Sequence, residues 1–65
     1  MPEVYVYAAE GRSPEQKRGL LLDITAAVVK NFEVEAQSVT VQLVEAPKHH
    51  KAKGGVLFSE RPPKN

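Results

Sequence analysis

The stretch Glu10-Gly11-Arg12-Ser13-Pro14-Glu15-Gln16-Lys17-Arg18 (EGRSPEQKR, residues 10–18) decides how this chain folds. It holds a turn and the start of a helix back to back. Glu10-Gly11-Arg12 reads as the turn. Ser13 is a good N-cap, because its hydroxyl can accept from a free N–H of the first helical turn. Pro14 suits the first helical position, where an N–H has no partner anyway and the ring presets φ. Glu15 puts a negative charge at the positive end of the helix dipole. Gln16, three residues after Ser13, completes a capping box. A helix is therefore predicted from Pro14 to about Asn31.

Working outward, Glu3 to Ala9 reads as a strand in which Val4, Val6 and Ala8 alternate with Tyr5 and Tyr7. Both faces are fairly apolar, which suits a strand covered on both sides, as in a parallel pair. Along the helix, Leu20, Leu21, Ile24, Ala27 and Val28 recur at the spacing of one buried face. Leu22, Ala26 and Val29 make a second, partly apolar flank, a candidate subunit contact. Phe32 to Gln37 is a polar connection. Ser38 to Glu45 reads as a second strand, with Val39, Val41 and Leu43 on one face and Thr40, Gln42 and Val44 on the other. Strand, helix and strand at these lengths make a right-handed βαβ unit with parallel strands. Pro47 ends the strand, Lys48 to Lys53 is a basic loop, and Gly54-Gly55 is a turn. Val56-Leu57-Phe58 reads as half of a small hairpin. The expected fold class is α/β (α+β): a single β-α-β protomer with a short C-terminal hairpin. Residues 1–61 form one domain, and residues 62–65, within the run Arg61-Pro62-Pro63-Lys64-Asn65, form a flexible C-terminal tail.

A chain of 65 residues without Cys has little to stabilise it alone. It buries roughly 60% of the surface its unfolded form exposes, and disulfides are ruled out. Oligomerisation is the remaining support. A βαβ unit covers one face of a two-stranded sheet, so the free edges and apolar flanks are expected to pair with copies of the same chain. The net charge of +1 demands neither nucleic acid nor membrane. No apolar run approaches the ~20 residues of a membrane span, and no signal-peptide core is present, which favours the cytoplasm.

The chemistry available is an amine, some cations and a few carboxylates. His49-His50 invites a metal reading, but adjacent residues in an extended loop point in opposite directions, so a solvated basic loop is the expectation and no metal site is assigned. Lys48, Lys51 and Lys53 form either an anion-binding rim or a solubilising loop. Without interleaved aromatics the loop is not read as an RNA surface. Pro2 differs if Met1 is removed, because the product is a free secondary amine at the start of a strand. An ordinary α-amino group has a pKa of ~7.7–8.0. Desolvation and a nearby guanidinium both lower it, and a neutral amine in an apolar pocket is a good base near pH 7. Arg12 can clamp a carboxylate through two parallel bonds. The two lie at opposite ends of a strand rising ~3.3 Å per residue, so an oligomer would be needed to bring Arg12 of one copy to Pro2 of another.

Met1-Pro2, then Glu10-Gly11-Arg12-Ser13 and Pro14-Glu15-Gln16-Lys17-Arg18, together resemble the 4-oxalocrotonate tautomerase family. Ser38-Val39-Thr40-Val41, then Glu45 and Pro47, and Gly54-Gly55 followed by Ser59-Glu60-Arg61 continue the match from Pro2 to about Arg61. The resemblance implies a β-α-β protomer, dimers with a four-stranded sheet, and a hexamer built as a trimer of dimers. It implies an isomerase without cofactor or metal, a keto–enol tautomerase acting on a small carboxylate of 2-hydroxydienoate or α-keto acid type, in the setting of aromatic degradation. Pro2 would be the general base, and Arg12 from a neighbouring subunit would bind the substrate carboxylate.

Two positions depart from the family. Thr40 stands where the family's namesake has a second arginine, and a hydroxyl cannot stabilise enolate charge as a guanidinium does. Lys51 stands where the family has an aromatic wall residue. Lys51 or Lys53 would then replace the missing cation and polarise the carbonyl, with Thr40 donating one hydrogen bond. The alternatives are a non-catalytic or partner subunit of a two-chain hexamer, or a related dehalogenase, hydratase or decarboxylase.

Overall fold

The capping box forms as its residues require. In the computed structural model, which describes residues 1–61, Ser13 Oγ accepts from the Gln16 N–H at 3.1 Å and Gln16 Oε1 accepts from the Ser13 N–H at 2.9 Å. Helix α1 runs Pro14–Phe32, one residue past the predicted end. It closes at Glu33, whose left-handed backbone (φ 56°) lets its N–H donate back to the Val29 carbonyl at 3.0 Å. The expected tail, residues 62–65, lies outside the described residues.

Strand β1 is Glu3–Ala9, as predicted, and β2 is Thr40–Ala46. They pair in parallel, from Glu3 opposite Thr40 to Ala9 opposite Ala46. β2 starts two residues later than predicted, because Ala36–Ser38 folds into a 3-10 turn. There the Ser38 hydroxyl and N–H both donate to the Glu35 carbonyl, at 2.8 and 3.0 Å. This local side-chain bond competes with the ladder. At the far end the Glu10 N–H donates to the Ala46 carbonyl at 3.0 Å, which ties the turn after β1 to the end of β2.

In a parallel ladder, opposed residues share a side. Val4, Val6, Ala8, Val41, Leu43 and Glu45 face α1, as the ion pair of Lys17 Nζ with Glu45 Oε1 at 3.0 Å requires. Tyr5, Tyr7, Thr40, Gln42 and Val44 occupy the other face, which no element among the described residues covers. There the Tyr5 hydroxyl donates to Glu3 Oε1 at 2.8 Å. That hydrogen bond, and the carboxylate charge behind it, raise the Tyr5 pKa above its ordinary 10.0.

The helix is turned slightly from the predicted orientation. Lys17, Leu21, Ile24, Thr25, Val28 and Val29 are half-buried, whereas Ala27 is exposed and Leu20 sits at the rim. Docking Lys17 over Glu45 shifts the covered stripe toward Leu21 and Thr25, which brings Val29 inward from its predicted flank. Leu22 and Ala26 stay exposed, as that flank anticipates.

The second sheet is the predicted hairpin: β3 (Ala52–Lys53) runs antiparallel to β4 (Val56–Leu57). Gly54 (φ 62°) and Gly55 (φ 80°) both take the left-handed backbone that a two-residue hairpin turn demands. Phe58 leaves the strand for a 3-10 turn, Phe58–Glu60. None of the described residues is buried in the single chain. Tyr7 is 72% exposed, Phe32 66%, Leu22 54% and Tyr5 48%. A monomer with no buried residue has almost nothing to offset the entropy of ordering its backbone. No helix among the described residues is long and apolar enough to cross a membrane.

Candidate active site

The sheet carries the two principal candidates at its two ends. Pro2 is half-buried, and its carbonyl accepts from the Thr40 N–H at 3.0 Å, so Pro2 and Thr40 meet at the start of the ladder. Met1 precedes them and is 88% exposed. While Met1 is attached, the Pro2 nitrogen is an amide with no useful basicity. Trimming it exposes a secondary amine whose position that carbonyl bond already holds.

Arg12 stands beyond the other end. The seven residues of β1 span about 20 Å, so Arg12 and Pro2 of one chain are too far apart to touch one small molecule. Arg12 Nη1 reaches the Ala9 carbonyl only at 3.5 Å, a weak bond that leaves most of the guanidinium donors free. It borders a cleft of about 170 Å³ with Gln16 and Lys17 at the rim and Val6, Ala8 and Leu43 below. The half-buried Lys17–Glu45 pair spans 28 residues of sequence and carries no local signal, so sequence reasoning missed it.

Gly11 gives the Arg12 turn its shape, with φ 130°, a backbone that side chains rarely adopt. A Cβ added there would meet Lys48 Cε at 3.6 Å, ordinary contact, so the strain of Gly11→Ala is in the backbone. Gly11→Ala is expected to lower stability by about 1–3 kcal/mol, read as a lower urea midpoint with an unchanged slope.

The predicted lysines are held within the hairpin region. Lys51 Nζ lies 5.4 Å from the centre of the Phe58 ring, and the Arg61 guanidinium lies 5.4 Å from the same ring. Arg61 Nη2 also donates to the Lys53 carbonyl at 2.9 Å. The aromatic ring of this region is Phe58, with Lys51 lying over it. His49 and His50 differ from the extended loop predicted for them. They fold into the 3-10 turn Lys48–His50 after Pro47, and their rings meet edge to face at 4.3 Å. No group of three or more His, Cys, Asp or Glu side chains able to hold a metal is present among the described residues.

Comparison with known proteins agrees with this architecture. The family model described as "Tautomerase enzyme" matches residues 2–61. A probable tautomerase of Bradyrhizobium diazoefficiens is 56% identical over 61 residues, covering 94% of this chain and 91% of that protein. A crystal structure of a 4-oxalocrotonate tautomerase homologue superposes with a TM-score of 0.89 at 35% identity, covering 97% of this chain and 100% of the other. A heterohexamer 4-oxalocrotonate tautomerase from Chloroflexus aurantiacus gives a TM-score of 0.84 at 33% identity, over 92% and 97% of the two chains. With its β-α-β unit, its hairpin and a match from Pro2 to Arg61, this chain belongs to the tautomerase enzymes, within the 4-oxalocrotonate tautomerase family of isomerases.

Proposed function

We propose that this chain is a cofactor-independent tautomerase that interconverts the enol and keto forms of a small carboxylate, of 2-hydroxydienoate or α-keto acid type. The supporting observation is the division of the site: Pro2 and Thr40 lie at one end of the sheet and Arg12 at the other, in a chain none of whose described residues is buried. A homohexamer, a trimer of dimers, supplies what the single chain lacks. Arg12 of one copy binds the substrate carboxylate beside Pro2 of another. The neutral Pro2 amine takes the proton from the enol oxygen and returns it to carbon as the carbonyl forms, so the amine ends as it began. Thr40 donates a hydrogen bond, and Lys51 or Lys53 faces the developing oxygen charge from a neighbouring hairpin.

One observation favours a second reading. Thr40 cannot supply the charge of a guanidinium, and one similar protein is a heterohexamer. On that reading this chain is the partner subunit of a two-chain assembly. Native mass spectrometry of the chain expressed alone, with the ultraviolet decay of a 2-hydroxydienoate, separates the two. A homohexamer with turnover supports the tautomerase. A chain that assembles and turns over only with a related second chain supports the partner subunit. An inactive homohexamer sinks the first reading.

A further inference from the structure

We propose that Lys48 is a second cation on the carboxylate that Arg12 binds, an inference that rests on the proposed tautomerase reading. The side chain of Lys48 lies against the turn that carries Arg12. Its Cε and Nζ stand 3.6 and 3.8 Å from the point where a Cβ on Gly11 would be, so the absent side chain of Gly11 makes the room. The position is held from two sides. The Glu10 N–H to Ala46 carbonyl bond fixes the turn to the end of β2, and Pro47 then starts the 3-10 turn Lys48–His50.

Among the described residues neither cation has a salt-bridge partner. The ion pair there is Lys17 with Glu45, which occupies the half-buried acid of this region. Glu10 is exposed and bridges neither Arg12 nor Lys48. An anion set between a guanidinium and an ammonium is attracted by both. Their geometries are complementary: the guanidinium offers a planar fork, and the ammonium is a point charge on a flexible stem. Lys51, by contrast, lies over Phe58. On this inference Lys48 adds charge at the carboxylate, apart from the role proposed for Lys51 or Lys53 at the developing oxygen.

The test is calorimetric titration of two unreactive ligands with one carbon skeleton, muconate (two carboxylates) and sorbate (one), against the assembled protein and its variants. Lys48→Met keeps the stem over Gly11 and deletes the charge. It is expected to weaken both ligands about tenfold and to flatten the dependence of affinity on salt, and Lys48→Arg is expected to restore most of both. In turnover, KM rises and kcat changes little. Binding within twofold of wild type in Lys48→Met overturns the proposal, as does a loss confined to muconate. So does a lowered melting point with an unaltered salt slope. Arg12→Ala separates the two readings. If it alone loses affinity, Lys48 falls and the proposed function stands. If Lys48→Met loses affinity while Arg12→Ala does not, the assigned role of Arg12 falls and Lys48 remains an anion-binding residue.

Discussion

Protein that retains Met1 is expected to convert a 2-hydroxydienoate about 10²- to 10⁴-fold more slowly than protein that has lost it, the range a positioned general base supplies. The two preparations differ by one residue that is 88% exposed, so stability and assembly should match. Only the nitrogen changes, from amide to secondary amine. The bond from the Thr40 N–H to the Pro2 carbonyl is present in both. Intact mass identifies the species, and steady-state decay of the dienoate measures them. Pro2→Ala, trimmed to a free primary amine, is expected to fall between the two, because it keeps an amine but loses the ring that fixes its direction. Equal rates for trimmed and untrimmed protein would remove Pro2 from the mechanism.

The second large effect concerns the uncovered sheet face. Tyr7 is 72% exposed there beside Tyr5, and Gln42 and Val44 lie opposite them on β2. If neighbouring copies cover this face, each Tyr7 buries at least ~150 Å² on assembly, worth about 4 kcal/mol at ~25 cal/mol/Å². Tyr7→Glu deletes that gain and sets a carboxylate in an apolar interface, so dissociation should become at least ~10³-fold easier. Because no described residue is buried in the single chain, the variant should also lose its cooperative melt. Native mass spectrometry and circular dichroism follow both. A Tyr7→Glu protein with wild-type mass and melting point would show that copies meet through other faces.

What could be read from the sequence was what is encoded locally. Ser13, Pro14 and Gln16 define the start of α1 within one helical turn, and Gly54-Gly55 defines the hairpin within two residues. The alternation in β1 marks both its faces. The rotation of α1 was not legible, because Lys17 meets Glu45 across 28 residues. Nor was the late start of β2, where Ser38 turns back on Glu35. For the site the division is different. Pro2 and Arg12 are bland residues by position, their chemistry makes them candidates, and resemblance gives that candidacy its weight. That they lie at opposite ends of one sheet follows from strand length. The approach of Lys48 to Gly11 and of Lys51 to Phe58 depends on how the chain returns past its own turns, and no periodicity records it.

The separation of Pro2 from Arg12 also bears on how such a protein diversifies. On the proposed reading, every site is shared property, drawing its base from one copy and its carboxylate grip from another. After gene duplication, one descendant can lose the proline amine and the other the arginine, and the mixed assembly still holds complete sites. Each loss is harmless alone and binding together, so two chains become mutually dependent without either gaining a new residue. A half-site at each end of one strand is thus a ready starting point for obligate hetero-oligomers, and one similar protein, from Chloroflexus aurantiacus, is a heterohexamer.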